Sequence, residues 1–375
     1  MFNLLKRFIK KIISLFRKPY VHKTDKKLTI TVNEPSLTRC HCNPVLSPRS
    51  YDWEAEGVFN PAAINVGGRI HLLYRASGRG GQSVFGYASS PDGINFDERL
   101  PYPVYIPKEV FEPVSSVGKE NQIFDTEMYT SGGTWIGCED PKLTKIGDRI
   151  YLTYVAFAGW DSVRVTMSSI SVKDFLNHNW KWTTPILCSE PGVVSKSGGL
   201  FPEKINGKYV MFHRVFPSIY MDFLDDLKFK GDKFLKETNP ITTGKKGNWD
   251  GGKISFGAPP LKTKDGWLVI THAVGGKQEE GGDLRYRIGV MLLDLEDPTK
   301  IIYRSPEPVM EPDLWYENDW KPGILYPCGA VIKDGTLLVY YGGGDKYTCV
   351  ATAPLDIFLD QIKNHKRPKL SINKK

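Results

Sequence analysis

Apolar and polar residues alternate with a period of two through five stretches of the chain, and each stretch opens on a turn containing glycine. They are GGRIHLLYRA (67–76), GDRIYLTYVA (147–156), NGKYVMFHRV (206–215), DGWLVITHAV (265–274) and DGTLLVYYGG (334–343). Alternation at this period sends successive side chains to opposite faces of an extended strand, so each stretch predicts a hairpin and the strand that follows it. The starts lie 80, 59, 59 and 69 residues apart, a spacing suited to four-stranded units with loops of unequal length. A proline marks the approach to every hairpin: Asn60-Pro61, Asp140-Pro141, Phe201-Pro202, Pro259-Pro260 and Tyr326-Pro327. Such prolines are expected at the first residue of a strand, where the missing N–H costs no ladder bond. Asp-bearing turns at 90–93, Lys173-Asp174, Asp225-Asp226, Asp297-Pro298 and 354–356 are expected before the outer edge of each unit. The pattern predicts an all-β fold, a five-bladed β-propeller over residues 50–375 with a long insertion at about 94–136 after the first blade.

One segment has a helical period instead. Phe2, Leu5, Phe8, Ile9, Ile12, Ile13 and Phe16 recur at steps of three and four, with Lys6, Arg7, Lys10, Lys11 and Arg17 on the other faces. Residues 1–19 are therefore expected to form a short basic amphipathic helix, with 20–49 as linker and lead-in. The segment is too short and too charged to span a bilayer, and it has no small-residue cleavage site of a secretory signal. Contact of residues 2–18 with an anionic membrane surface is one expectation, docking on the chain's own body the other.

Charge changes little beyond that segment. The formal net charge is +8, and residues 1–27 hold nine cations against Asp25, leaving 41 of each sign in the rest of the chain. A neutral body has no broad basic footprint for a polyphosphate backbone, so no nucleic-acid partner is expected. The proportions, 41% hydrophobic and 12% aromatic with 36 Gly and 26 Pro, suit short strands and tight turns. Six cysteines in 375 residues are read as thiols in a reducing, cytoplasmic setting, Cys40 and Cys42 included, and no metal site is expected.

In a propeller the innermost strand of each blade starts beside the central axis and the next strand returns toward it. The starting positions are Asn60, Asp140, Glu203 and Lys253, and the returning ones are Arg75, His213, Arg214, His272 and Asp345. So polar a convergence reads as a binding site, not a core.

The strings NPAA (60–63), YRA (74–76), GCEDPK (137–142), LFPEKINGKYVMFHR (200–214), APP (258–260), GWLVITHAV (266–274) and YRIGVMLLDLEDP (286–298) together resemble glycoside hydrolase family 130, in order, over residues 50–360. The resemblance implies a five-bladed propeller, inversion at the anomeric carbon and phosphorolysis of β-mannosides to α-mannose 1-phosphate, run in either direction. It makes Asp140 the proton donor, since an alkoxide leaving group must be protonated as the bond breaks. A raised carboxyl pKa is expected there, from burial or from Glu139 next to it. Lys196, His213, Arg214, Lys253, His272 and Tyr286 become phosphate ligands, and Asn60, Arg75, Glu139, Lys142 and Asp345 contacts to sugar. EDPK stands where EDPR is usual, so Lys142 keeps the charge without the planar fork.

No cofactor is implied; inorganic phosphate is the co-substrate and a β-mannoside or other oligosaccharide the partner. Homo-oligomerisation and peripheral attachment to the inner face of a membrane are left open. An inverting β-mannosidase would need a second carboxylate, Glu203 or Glu311, to activate water. A non-catalytic glycan-binding propeller would use Asp140 only as a ligand.

Overall fold

The computed structural model describes residues 28–31, 35–112, 136–160, 162–275, 285–364 and 369–372. The expected amphipathic helix lies outside them. The chain forms two compact units, of which the larger is Glu34–Lys363. In the smaller, Leu28–Thr31 pairs antiparallel with Lys369–Ile372.

The larger unit is built almost wholly of strands. Gly57–Val66, Arg69–Ser77, Gln82–Ser90 and Glu98–Arg99 form a first antiparallel group, and Ile136–Ile146, Arg149–Phe157, Val163–Ser171 and Ile186–Leu187 a second. A short parallel pairing of Gln82 and Ser83 with Ile136 and Gly137 joins these two. The third group is Ser195–Leu200, Tyr209–Val215 and Ser218–Leu224. In the fourth, Lys253–Phe256 and Leu261–Thr263 share Gly266–Val274, followed by Arg287–Leu293 and Ile301–Arg304. The fifth is Leu325–Lys333, Thr336–Gly343 and Tyr347–Pro354, and its outer position is taken by Thr38–Arg39 from the lead-in. Each expected hairpin is present.

The inner strands are buried on both faces because each group packs on two neighbours. Along Arg69–Ser77, Ile70, Leu72, Tyr74 and Ala76 enter a cluster with Val331, Leu338 and Tyr340 of the fifth group. Leu73, on the opposite face, enters a cluster with Leu143, Leu152 and Tyr154 of the second. Further clusters join the second group to the third through Val165 and Met211, the third to the fourth through Phe212 and Trp267, and the fourth to the fifth through Leu268 and Leu337. Fully burying one such Leu contributes about 2 kcal/mol.

Three details differ from the sequence expectation. Pro61, Pro141 and Pro327 lie inside long strands rather than at strand starts, the first two within a bulge where no ladder bond is demanded and the third beside one, and Pro202 follows the end of Ser195–Leu200. Lys173-Asp174 and Asp356 belong to the first turns of two helices, Val172–Leu176 and Leu355–Asn364, not to strand turns. In the first, Ser171 Oγ accepts from the backbone N–H of Asp174 at 3.0 Å, an N-cap that turns the chain into a helix. Cys40 and Cys42 are joined as a disulfide, not two thiols, since the bend between them brings their Cα atoms to 5.2 Å. Among the described residues no helix is long and apolar enough to cross a membrane.

Candidate active site

The same irregularity recurs in the first strand of three groups. Asn60 and Pro61 lie opposite Tyr74 alone, Asp140 and Pro141 opposite Tyr154 alone, and Ser197 and Gly198 opposite His213 alone. Each two-for-one bulge begins with a left-handed residue, at φ 48° for Asn60, 52° for Asp140 and 53° for Ser197. Asn and Asp tolerate that region better than most side chains, and a bulge re-aims the side chain it carries. Asn60 Nδ2 donates to Asp140 Oδ1 at 2.8 Å. The amide fits because Gly342 faces it: a Cβ there would stand 2.0 Å from Asn60 Oδ1.

Asp140 is 5% exposed. Arg75 Nη1 lies 3.7 Å from its Oδ1, while Arg75 Nη2 donates to Glu139 Oε1 at 2.9 Å and Arg75 Nε to Ser83 Oγ at 2.9 Å. Glu139 Oε2 accepts from Lys196 Nζ at 2.9 Å, so this carboxylate is clamped between two cations from different groups of strands. Lys196 also faces the rings of Trp160 and Phe157. Burial pushes the Asp140 carboxyl up, but Arg75, Lys196, the Asn60 hydrogen bond and Lys142 outweigh it and hold it below the ordinary value. The shift therefore runs opposite to the expected upward one, because Glu139 is engaged by cations and the net field at Asp140 is positive.

A second set of cations adjoins the first. Arg214 Nη1 donates to Ser255 Oγ at 3.1 Å, and Lys253 Nζ donates to the Tyr286 hydroxyl. Burial pushes Lys253 down to about 8, with Tyr286 opposing and Arg214 and Lys196 adding to the fall. His272 packs on Tyr326 at 4.2 Å between centroids. Neither of its ring nitrogens has a hydrogen-bond partner among the described residues. Burial, then Arg214, Lys142 and Lys253, hold it far below its usual pKa, so the imidazole is neutral. The Lys142 ammonium is wholly buried without a hydrogen-bond partner among the described residues. Asp345 pairs with Lys321 Nζ at 3.1 Å.

Asn60, Arg75, Glu139, Asp140, Lys142, Lys196, Arg214, Lys253, His272, Tyr286 and Asp345 are thus all buried in one region, linked by these contacts and mutual fields. Three candidates read from the sequence are not part of it. Both ring nitrogens of His213 are engaged, Nδ1 with Ser195 Oγ at 2.9 Å and Nε2 with the Lys236 carbonyl at 3.0 Å, leaving none for a phosphate. Glu203 is ion-paired with Lys262 and its side chain is 45% exposed. Glu311 is 43% exposed and 3.5 Å from Arg287 Nε. Sequence reasoning missed Ser197, Ser255, Lys321 and Tyr326. Tyr326 was findable, since it precedes the proline at the approach to a hairpin as Asn60 and Asp140 do; Ser197, Ser255 and Lys321 carry no such signal.

Residues 39–364 match the sequence profile of the family described as beta-1,4-mannooligosaccharide phosphorylase. The chain belongs to glycoside hydrolase family 130. Within family 130 it is 37% identical over 326 residues to a 1,2-beta-oligomannan phosphorylase of Thermoanaerobacter sp. (strain X514), covering 84% of this chain and 96% of that one. It is also 37% identical over 330 residues to a beta-1,2-mannobiose phosphorylase of the same organism, covering the same shares of each. The solved beta-1,2-mannobiose phosphorylase of Listeria innocua, in complex with beta-1,2-mannobiose, superposes with a TM-score of 0.65 at 22% identity, covering 87% of this chain and 99% of that chain. That likeness speaks for a shared fold.

Proposed function

We propose that this family 130 chain is an inverting phosphorylase that transfers a β-mannosyl residue between a glycan and inorganic phosphate, on a five-bladed β-propeller. The propeller reading is supported by five antiparallel groups packed in sequence, the fifth also against the first. The observation that carries the function is the buried positive surplus around Asp140: Arg75, Lys142, Lys196, Arg214 and Lys253 against Glu139, Asp140 and Asp345. An oxygen of phosphate attacks the anomeric carbon from the α face, the C1–O bond breaks, and the leaving oxygen takes its proton from Asp140. Lys196, Arg214, Lys253, His272 and Tyr286 hold the phosphate, with His272 as a neutral donor. Asn60, Arg75, Glu139 and Asp345 face the sugar. Lys142, wholly buried, acts through Asp140 and His272. A phosphate dianion offsets the cations that hold Asp140 down, so filling the cradle raises its carboxyl and favours the protonated acid. Phosphate thereby helps to load the proton that its own attack requires.

The two relatives at 37% identity are named for β-1,2 linkages, which makes β-1,2-mannosides the proposed substrate class. Hydrolysis is the weaker reading because Glu139 and Asp345 are each paired with cations, and Glu203 and Glu311 are half-exposed partners of Lys262 and Arg287. The test is release of mannose 1-phosphate from β-1,2-, β-1,3- and β-1,4-mannobiose with and without phosphate. Turnover of the β-1,2 isomer that depends on phosphate is expected; equal turnover without phosphate would indicate a hydrolase. Run across pH, the same assay reads Lys253. Its ammonium is lost above about pH 8, so the KM for phosphate should climb by up to about tenfold per unit beyond that point.

The basic segment 1–19 is proposed to hold the enzyme on the inner face of an anionic membrane. Full-length protein should float with vesicles containing phosphatidylglycerol, and protein lacking residues 1–19 should not; equal flotation of both would remove the segment from that role.

A further inference from the structure

A second polar and aromatic hollow lies away from this site, on the flank where the first and second groups of strands meet. It has a volume of about 200 Å³ and is lined by Tyr105, Lys108, Glu109, Trp180, Trp182 and Thr184, among others. Two indoles face it in different states. Trp182 Nε1 donates to the Val104 carbonyl at 3.0 Å, which fixes its ring edge-on to Tyr105. Trp180 is held by Phe175, Tyr87 and a stacked His178, yet its buried Nε1 has no acceptor among the described residues. A buried indole N–H ordinarily finds a partner, so one wall of this hollow rests on an indole whose polar edge is unsatisfied.

The opposite wall is built to stay put. Glu112, itself wholly buried, accepts from the Tyr105 hydroxyl at 2.8 Å and from the backbone N–H groups of Lys108 and Glu109 at 3.1 and 3.2 Å. It also accepts from Tyr154. The turn that carries the Lys108 and Glu109 side chains is thus pinned before any ligand arrives, which lowers the ordering cost of binding.

We infer that this hollow is a saccharide-binding subsite, separate from the Asp140 region, that takes one mannosyl ring of an oligomannoside. A pyranose has a C–H face that stacks on an aromatic ring and a rim of hydroxyls that both donate and accept. Trp182 supplies the face, Lys108 the donor, Glu109 the acceptor and the Thr184 hydroxyl either role, while Trp180 lines the wall and reports on its occupancy. One cation against one carboxylate favours a neutral ligand over an anion, and a single carboxylate makes no metal site. The volume takes one sugar ring and is too small for drug-sized ligands, whose pockets begin at about 300 Å³. That the ring is mannosyl rests on the function proposed above. The subsite would raise the local concentration of long substrates without touching the bond being broken.

The experiment uses the full chain labelled with 15N-tryptophan, which gives nine indole signals for nine tryptophans; the Trp180 signal is assigned by its loss in Trp180→Phe. Titration with β-1,2-mannotetraose should move the Trp180 indole, and Trp182→Ala should weaken that midpoint about tenfold or more. In rate assays Trp182→Ala should raise the KM for the tetraose about fivefold and leave kcat and the KM for β-1,2-mannobiose unchanged. Because Trp182 packs on Tyr105, the solvent-side pair Lys108→Met and Glu109→Gln is tested alongside, with the same pattern expected. A still Trp180 signal at tetraose concentrations that saturate turnover overturns the subsite, as do equal losses on both substrates. Movement of Trp180 in a protein that phosphorolyses no mannoside would instead overturn the proposed function and leave the subsite standing.

Discussion

Replacing Asp140 by Asn is expected to slow phosphorolysis of β-1,2-mannobiose about 1000-fold while leaving sugar binding nearly intact. General acid catalysis is worth roughly 10²–10⁴-fold, and a poor alkoxide leaving group draws on most of it. The amide is isosteric, and its oxygen can still accept from Asn60 Nδ2, the bond that now reaches Asp140 Oδ1 at 2.8 Å. What is lost is the proton and the negative charge beside Arg75, Lys196 and Lys142. A dinitrophenyl β-mannoside separates these two losses, because its leaving group departs without protonation. If Asp140 serves as the acid, Asp140→Asn should cost less than about tenfold on that substrate. Equal losses on both substrates would mean that Asp140 contributes charge, not a proton, and unchanged turnover on both would remove it from the reaction.

Glu139→Gln should cost the fold about 3 kcal/mol, at the lower end of the range for leaving a buried charge uncompensated. Glu139 is 2% exposed and accepts from both Arg75 and Lys196. The amide keeps the shape but removes the negative charge that Arg75 and Lys196 now share. For a body of this size the penalty lowers the thermal midpoint by roughly 4 °C. Activity should fall as well, since Arg75 and Lys196 then draw closer to Asp140 and hold it as the anion more firmly. The check is a double-mutant cycle with Lys196→Met, followed by thermal unfolding. Coupling of about 1 kcal/mol or more, with the double variant more stable than simple addition predicts, is expected of a true buried pair. Additive losses would show that the clamp contributes nothing of its own.

How much of this was legible beforehand varies with the range of the interaction. The five hairpins were legible because alternation at period two is a local property, and each of 67–76, 147–156, 206–215, 265–274 and 334–343 contains a strand at the expected place. The disulfide of Cys40 with Cys42 was not, since it depends on a bend that no spacing rule contains. His213 looked like a returning cation beside Arg214, but neighbours in a strand face opposite ways. Arg214 reaches Ser255 of the fourth group, whereas His213 is bound by Ser195 of its own group and by the Lys236 carbonyl. Glu203 failed for a related reason: it follows the end of Ser195–Leu200 and turns outward to Lys262.

The protonation of Asp140 shows the division most clearly. Its residue type, its place before Pro141 and its family motif could all be read along the chain, and with them the proposed role of acid. The direction of its pKa shift could not, because Arg75, Lys196 and Asn60 come from other groups of strands and meet it only after packing. Local periodicity and motif therefore determined which strands form and which carboxyl is offered. Tertiary structure decided what surrounds that carboxyl, because electrostatic energy depends on separation in space and burial, and neither is a function of distance along the chain.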